Sequence, residues 1–313
     1  MRFLLIIFFL FIALPAHSAE LEKRTTVHDG ITREYWIYDP RANQTSGKRA
    51  LVLVLHGGGG KADKFDVMTG KENSFNTLAD REDILIAYPQ GINKSWNDGR
   101  EAPQVDAQAR EIDDTGFLSG LIDSLVNSRN VDPKRVYVVG PSNGGHMSNR
   151  LACDISGKVA AVGIVIGLMP KKYVDKCKPE TPVSVLIMNG TEDPLVPYNG
   201  GDVKLFKRGR SRGEDISTED TFAFWLKHAG YDGKPDAIAA KQLPDADPDD
   251  KTRITMRSFK GAQSQVVLYT VTGGGHTWPG GRQYLFESLV GRVSRDINAT
   301  EVIWDFFKDA AKP

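Results

Sequence analysis

The sequence predicts an α/β fold: a mostly parallel sheet with helices on both faces, across a chain of 313 residues. Three observations carry that expectation. Unbroken apolar runs such as residues 51–55 (LVLVL) have the character of strands buried on both faces. Segments of helical periodicity separate these runs, as right-handed βαβ units require. No linker rich in Pro, Gly or Ser and no internal repeat divides the chain, so residues 19–313 read as a single domain.

The first 18 residues stand apart. Residues 1–14 (MRFLLIIFFLFIAL) join one Arg to an apolar run that Pro15 closes. The run is shorter than the roughly 20 residues of a spanning helix. With small side chains at Ala16 and Ser18, it has the form of a secretory signal peptide, cut after Ser18 or Ala19. Export to an extracellular or periplasmic space without a membrane anchor is the expectation.

In the mature chain, residues 31–38 (ITREYWIY), 51–55, 84–88 (ILIAY), 135–139 (RVYVV), 160–166, 183–188 (VSVLIM) and 265–271 (QVVLYTV) read as strands. Helical patterns run from Ser74 to Arg81, Thr115 to Arg129, Gly145 to Cys153, Thr218 to His228 and Ala299 to Lys308. Asp114 or Thr115 is expected to cap the second of these, and Ser217 the fourth. The stretches KLFKRGRSRGED (204–215) and LPDADPDD (243–250) read as solvated surface loops.

Composition narrows the function. The 40% hydrophobic content excludes bulk disorder. Forty basic and forty acidic residues cancel, where a nucleic-acid binder would carry a basic excess. Cys153 and Cys177 have neither CxxC spacing nor a neighbouring His cluster, so no metal site is expected and, after export, a disulfide is.

The chemistry centres on Gly140-Pro-Ser142-Asn-Gly144, a G-x-S-x-G directly after the RVYVV strand and before a helix. That context makes a nucleophile elbow: the Ser occupies a strained turn, and the glycines leave room for the neighbouring strand and helix. A serine nucleophile needs a base, and the base an orienting acid, in the chain order Ser, Asp or Glu, His. His276, in the Gly-rich loop after QVVLYTV, is the candidate base. His56 and His146 lie upstream of the Ser or too close to it, and His228 sits in the apolar-periodic FAFWLKH. Asp193, just past VSVLIM, is the candidate acid, with Glu192 the adjacent alternative. The amides of Asn143 and of the Gly57–Gly60 run supply an oxyanion hole. No G-K-[ST] follows that run, so it is not a P-loop. Trp278 and Trp96 are candidates for substrate contact, against a packing role for each.

The motifs HGGGG, DDTGF, VDPKRVYVVGPSNGGHMSNRLAC, NGTEDPLVPYNGG and GGGHTWPGG follow one another in order. Together they resemble the polyhydroxybutyrate depolymerase and feruloyl esterase family of secreted α/β-hydrolases, across nearly the whole mature chain. The resemblance implies a serine esterase without a cofactor, in which Ser142, Asp193 and His276 form the triad and Gly58 and Asn143 the oxyanion donors. Many depolymerases carry Cys in the oxyanion loop where this sequence has Gly58, and many that attack solid polymer add a binding domain after the catalytic one. Both departures favour soluble esters or oligomers: hydroxyalkanoate, hydroxycinnamoyl or acetyl. A peptidase of similar fold and a non-catalytic binding protein are the competing readings.

Overall fold

The structure is a computed structural model that describes residues 19–40, 47–82, 84–205 and 209–312. The expected signal segment, residues 1–18, lies outside the described residues.

Strands β1 (Leu21–His28) and β2 (Ile31–Tyr38) form an antiparallel hairpin. Asp29 at φ 49° and Gly30 at φ 72° make the two-residue turn between them, of the kind whose twist matches the strands. The sheet's centre is parallel: β4 (Ile84–Pro89), β3 (Arg49–Val54), β5 (Val131–Pro141), β6 (Ala161–Val165), β7 (Ser184–Gly190) and β12 (Gln265–Thr272), side by side in that order. Strand β2 joins β4 antiparallel at one side. At the other, β11 (Arg253–Lys260) and β10 (Lys241–Gln242) continue antiparallel from β12. Two-residue strands β8 (Gly201–Asp202) and β9 (Glu214–Asp215) pair by themselves.

Side chains alternate along the central strands and feed two separate core layers. Leu51, Leu53 and Leu55 face Phe117, Met147, Leu151 and Trp225 from the helices Asp114–Ser128, Asn143–Asp154 and Thr218–His228. Ala50, Val52 and Val54 face Phe75, Leu78, Ile303 and Phe307 from the helices Phe75–Arg81 and Ala299–Lys308. This two-sided burial is why the runs are apolar without polar alternation. Each fully buried Leu, Ile or Phe contributes about 1.5–3 kcal/mol. Strand β5 is longer than its apolar part predicts, because its register against β3 slips between Arg49 and Leu51. Pro133, which has no N–H to give to the ladder, lies within the slipped stretch.

Ser74 and Ser217 cap their helices by accepting from Thr77 N and Asp220 N. The second helix departs from expectation. It begins one residue early, so Asp113 is the cap, accepting from Gly116 N, and neither Asp114 nor Thr115 serves. Asp114 instead turns inward to a buried ion pair with Arg33 at 2.5 Å. Cys153, at the end of the Asn143–Asp154 helix, is joined to Cys177 by a disulfide. No helix among the described residues is long and apolar enough to cross a membrane.

The fold places four loops at one edge of the sheet. Chain segments leaving the carboxyl ends of β3, β5, β7 and β12 carry Gly57–Gly60, Ser142, Asp193 and His276 respectively. Ligand sites of open parallel sheets form at that edge.

Candidate active site

Ser142 sits between β5 and the Asn143–Asp154 helix at φ 55° and ψ −122°, a left-handed conformation uncommon for a residue with a Cβ. Such a conformation costs about 1–3 kcal/mol and persists only where its surroundings enforce it. Here Ser142 N donates to Val165 O at 2.9 Å, and His146 N donates to Ser142 O at 2.8 Å. The flanking glycines are obligatory. A Cβ on Gly140 would lie 2.6 Å from Gly144 C, and one on Gly144 2.5 Å from Leu55 O.

Asp193 follows β7 and is almost fully buried. Its Oδ1 accepts from the amides of Leu195 and Val196 at 2.8 and 2.9 Å, and its Oδ2 faces His276 Nδ1 at 2.7 Å. A carboxylate accepts, so Nδ1 of His276 is the donor of this bond. Glu192, by contrast, points to solvent and pairs with Arg292 at 3.5 Å. The loops carrying Asp193 and His276 touch through backbone. A Cβ on Gly190 would lie 2.3 Å from Gly274 O, and one on Gly275 2.1 Å from Val290 O. Tyr284 further holds the His276 loop by donating its hydroxyl to His276 O at 3.0 Å.

The Gly57–Gly60 run crosses directly over the elbow. The Cβ positions of Gly57 and Gly58 fall 3.6 Å from Ser142 Cβ and 3.7 Å from Asn143 Cβ. His56 fastens this loop from below: its Nδ1 donates to Gly57 O at 2.7 Å while Nε2 accepts from Gly91 N at 3.0 Å. Burial lowers the pKa of His56 to about 4, against the smaller opposing effect of the Gly57 bond, so the ring is neutral at pH 7. Ser142, Asn143, Gly58 and His276 all line one cavity of about 380 Å³. Its other walls are largely apolar, with Phe65, Met68, Leu195, Tyr284 and Val290 among them.

Below the elbow lies a buried polar cluster that the sequence does not reveal. The Asn143 side chain accepts from Trp96 N at 2.8 Å and donates to Asp98 Oδ2 at 2.5 Å. Asp98 also takes Arg100 Nη2 at 2.6 Å and Gln108 Nε2 at 2.9 Å. Burial alone would raise the pKa of Asp98, but the charges of Arg100 and His146 and the Arg100 hydrogen bonds hold it below the usual carboxylate range. His146 is fully buried, with Nδ1 at 2.7 Å from Ser142 O and Nε2 at 2.6 Å from Asp215 Oδ2. Asp215 thus corrects the reading of 204–215 as a solvated loop: its last residue is buried against the helix that follows Ser142. Residues 206–208 of that stretch lie outside the described residues. Asp250, at the end of 243–250, is likewise buried, accepting from Thr252 N and Arg295 N.

Both tryptophan candidates for substrate contact are corrected too. Neither Trp96 nor Trp278 exposes any surface, and neither lines the cavity. Trp96 donates Nε1 to His56 O at 2.9 Å, and Trp278 packs edge-on against Phe65 and Phe75. Their large apolar rings fill the space beneath the loops, where packing outweighs any contact they could make with a ligand. Among the described residues one group gathers donors suited to a metal ion: His28, Asp29 and Asp113, at the β1–β2 turn and outside the cavity.

Comparison with known proteins places the chain among esterases. Residues 34–174 match the family described as esterase PHB depolymerase. NocK of Nocardia uniformis subsp. tsuyamanensis, which bears the name of an esterase, is 30% identical over 308 residues, covering 93% of this chain and 84% of its own. Feruloyl esterase B of Piromyces equi is 31% identical over 242 residues, 74% of this chain and 40% of that protein. The solved structure of acetyl xylan esterase from Aspergillus awamori superimposes with a TM-score of 0.54 at 16% identity, over 82% of this chain and 94% of that one. The shared fold is that of the α/β-hydrolases.

Proposed function

This chain belongs to the esterase PHB depolymerase family and is a carboxylic ester hydrolase, and from that premise we propose that Ser142, His276 and Asp193 form its catalytic triad. In this reading His276 Nε2 takes the Ser142 proton as Oγ attacks the ester carbonyl. The Gly58 and Asn143 amides receive the developing oxyanion, and the alcohol leaves with the proton that His276 returns. Water, deprotonated in turn by His276, then hydrolyses the acyl-enzyme. Asp193 holds the tautomer and orientation of the ring throughout, and no cofactor takes part.

The observation that supports this most is the Asp193–His276 hydrogen bond of 2.7 Å, formed between loops from different strands at the cavity that Ser142 also lines. The largely apolar cavity, with exposed Val67, Leu205, Leu285 and Leu289 on its rim, supports esters with an apolar acyl or alcohol part. Soluble hydroxyalkanoate oligomers and hydroxycinnamoyl or acetyl esters are the substrates we infer. The Cys153–Cys177 disulfide supports export to an oxidising compartment, with residues 1–18 as the signal peptide. Among the described residues, one continuous ten-stranded sheet supports reading residues 19–313 as a single catalytic domain.

Ser142→Ala tests the triad. Hydrolysis of p-nitrophenyl butyrate should disappear while the unfolding transition stays in place; retained hydrolysis sinks the assignment. Rates on methyl ferulate, acetylated xylan and hydroxybutyrate oligomers, measured side by side, rank the substrate classes.

A further inference from the structure

The chain as a whole is balanced, with 40 basic and 40 acidic residues, but its cavity is not. Lys61, Lys64, Arg100 and Arg212 stand among the residues lining it, and no carboxylate does so among the described residues. Two of these charges are already met. Arg100 commits Nε and Nη2 to Asp98, and Lys64 lies 4.0 Å from Asp63. Lys61 is exposed to water.

Arg212 differs from all three. It is half-buried, and no hydrogen bond or ion pair engages its guanidinium among the described residues. Its backbone is fixed, with Arg212 N donating to Val203 O at 2.8 Å and Val203 N to Gly213 O at 2.9 Å. Gly213 packs so tightly that a Cβ there would lie 2.6 Å from Arg100 Cβ, which holds the segment carrying Arg212 against the base of the Arg100 side chain. Burial first, and the Arg100 charge second, lower the pKa of Arg212. A partly desolvated guanidinium for which the described residues supply no anion is an unfavourable arrangement that a ligand's anion would complete.

We propose that Arg212 is an anion subsite of the cavity, selecting esters that carry a free carboxylate on an otherwise apolar chain, such as half-esters of diacids and esters of hydroxyacids. This rests on the esterase reading of Ser142. Beside it, Val203 and Leu205 supply apolar surface for the chain that bears the carboxylate. Arg donates in a planar fork that fits a carboxylate, where Lys offers a point charge.

The experiment compares kcat/KM for two matched pairs. p-Nitrophenyl hemiglutarate against p-nitrophenyl valerate places the carboxylate on the acyl side. Butyryloxyacetate against its methyl ester places it on the alcohol side. In at least one pair, Arg212→Gln should lower the ratio of anionic to neutral kcat/KM by about tenfold to a hundredfold, as for a lost charge-assisted hydrogen bond, and Arg212→Lys should recover part of it. In the unaltered protein, the same ratio should fall as salt shortens the Debye length from about 10 Å at 0.1 M to about 3 Å at 1 M. Ratios left unchanged by Arg212→Gln in both pairs overturn the subsite. If that variant does not fold, salt-insensitive ratios in the unaltered protein overturn it instead. Turnover of the neutral esters by the unaltered protein judges the esterase reading separately, so the two can fail independently.

Discussion

Replacing Gly144 by Ala would put a methyl carbon 2.5 Å from the Leu55 carbonyl oxygen and 2.8 Å from that of His56. Carbon and oxygen normally approach no closer than about 3.3 Å, so something must yield by close to an ångström. Neither neighbour is a flexible side chain. Leu55 N is tied to Val139 O at 2.8 Å, and His56 holds Gly57 through its ring. The displacement therefore passes into the elbow and the Gly57–Gly58 loop. Overpacking of this kind costs about 1–3 kcal/mol of stability, and a shift of about 1 Å in a reacting group costs about a hundredfold in rate. Gly120, in the Asp114–Ser128 helix with nothing within 4 Å of its Cβ position, is the control. Gly120→Ala should raise stability by about 0.5–1 kcal/mol and leave kcat/KM alone. Urea unfolding followed by tryptophan fluorescence, beside kcat/KM on p-nitrophenyl butyrate, checks both variants. A Gly144→Ala protein with unaltered stability and activity would refute the packing argument for the elbow.

Asp193→Asn keeps the shape of the acid but loses its charge and its hold on the His276 tautomer; kcat should fall about 10⁴-fold, and activity near the original level would remove Asp193 from the triad. Cys153→Ser opens a cross-link between residues 24 apart, which should lower the unfolding free energy by about 3 kcal/mol; reductant should then leave the variant's midpoint unmoved while lowering that of the parent protein. Because burial depresses the pKa of His56 to about 4, its contribution is complete above the ordinary histidine pKa of about 6.5 and is lost as pH falls through 4. That is about 3 kcal/mol of stability, measurable by urea unfolding between pH 7 and pH 4. His56→Asn should flatten this slope, and an equally steep slope would contradict the assignment.

What the sequence discloses follows from where each residue is buried. Residues 31–38 and 218–228 have the predicted bounds because their burial is continuous and periodic. Strand β1 escapes the pattern: LEKRTTVH exposes most of its side chains and joins the sheet through backbone pairing with β2 alone. Strand β11 escapes for the same reason, being mostly half-exposed or exposed between β12 and the short β10. Ser142, Asp193 and His276 stand out as candidates because each follows an apolar strand, and because the sequence offers few histidines and one G-x-S-x-G between a strand and a helix. The polar groups beneath them do not. Asp98, His146 and Asp215 are charged or polar residues in unremarkable contexts, and His146 meets Asp215 across 69 positions of chain. Only tertiary contact decides that such side chains are buried. Trp96 and Trp278 show the converse: closeness in sequence to a motif does not separate a ring that packs under a loop from one that faces a ligand.

In the proposed mechanism Ser142 is a nucleophile activated by His276. Intact-mass analysis and peptide mapping after exposure to a fluorophosphonate measure it most directly. One adduct per chain is expected, on Ser142, formed in step with the loss of ester hydrolysis and suppressed in His276→Ala. An unlabelled chain, or an adduct on any other residue, would contradict it.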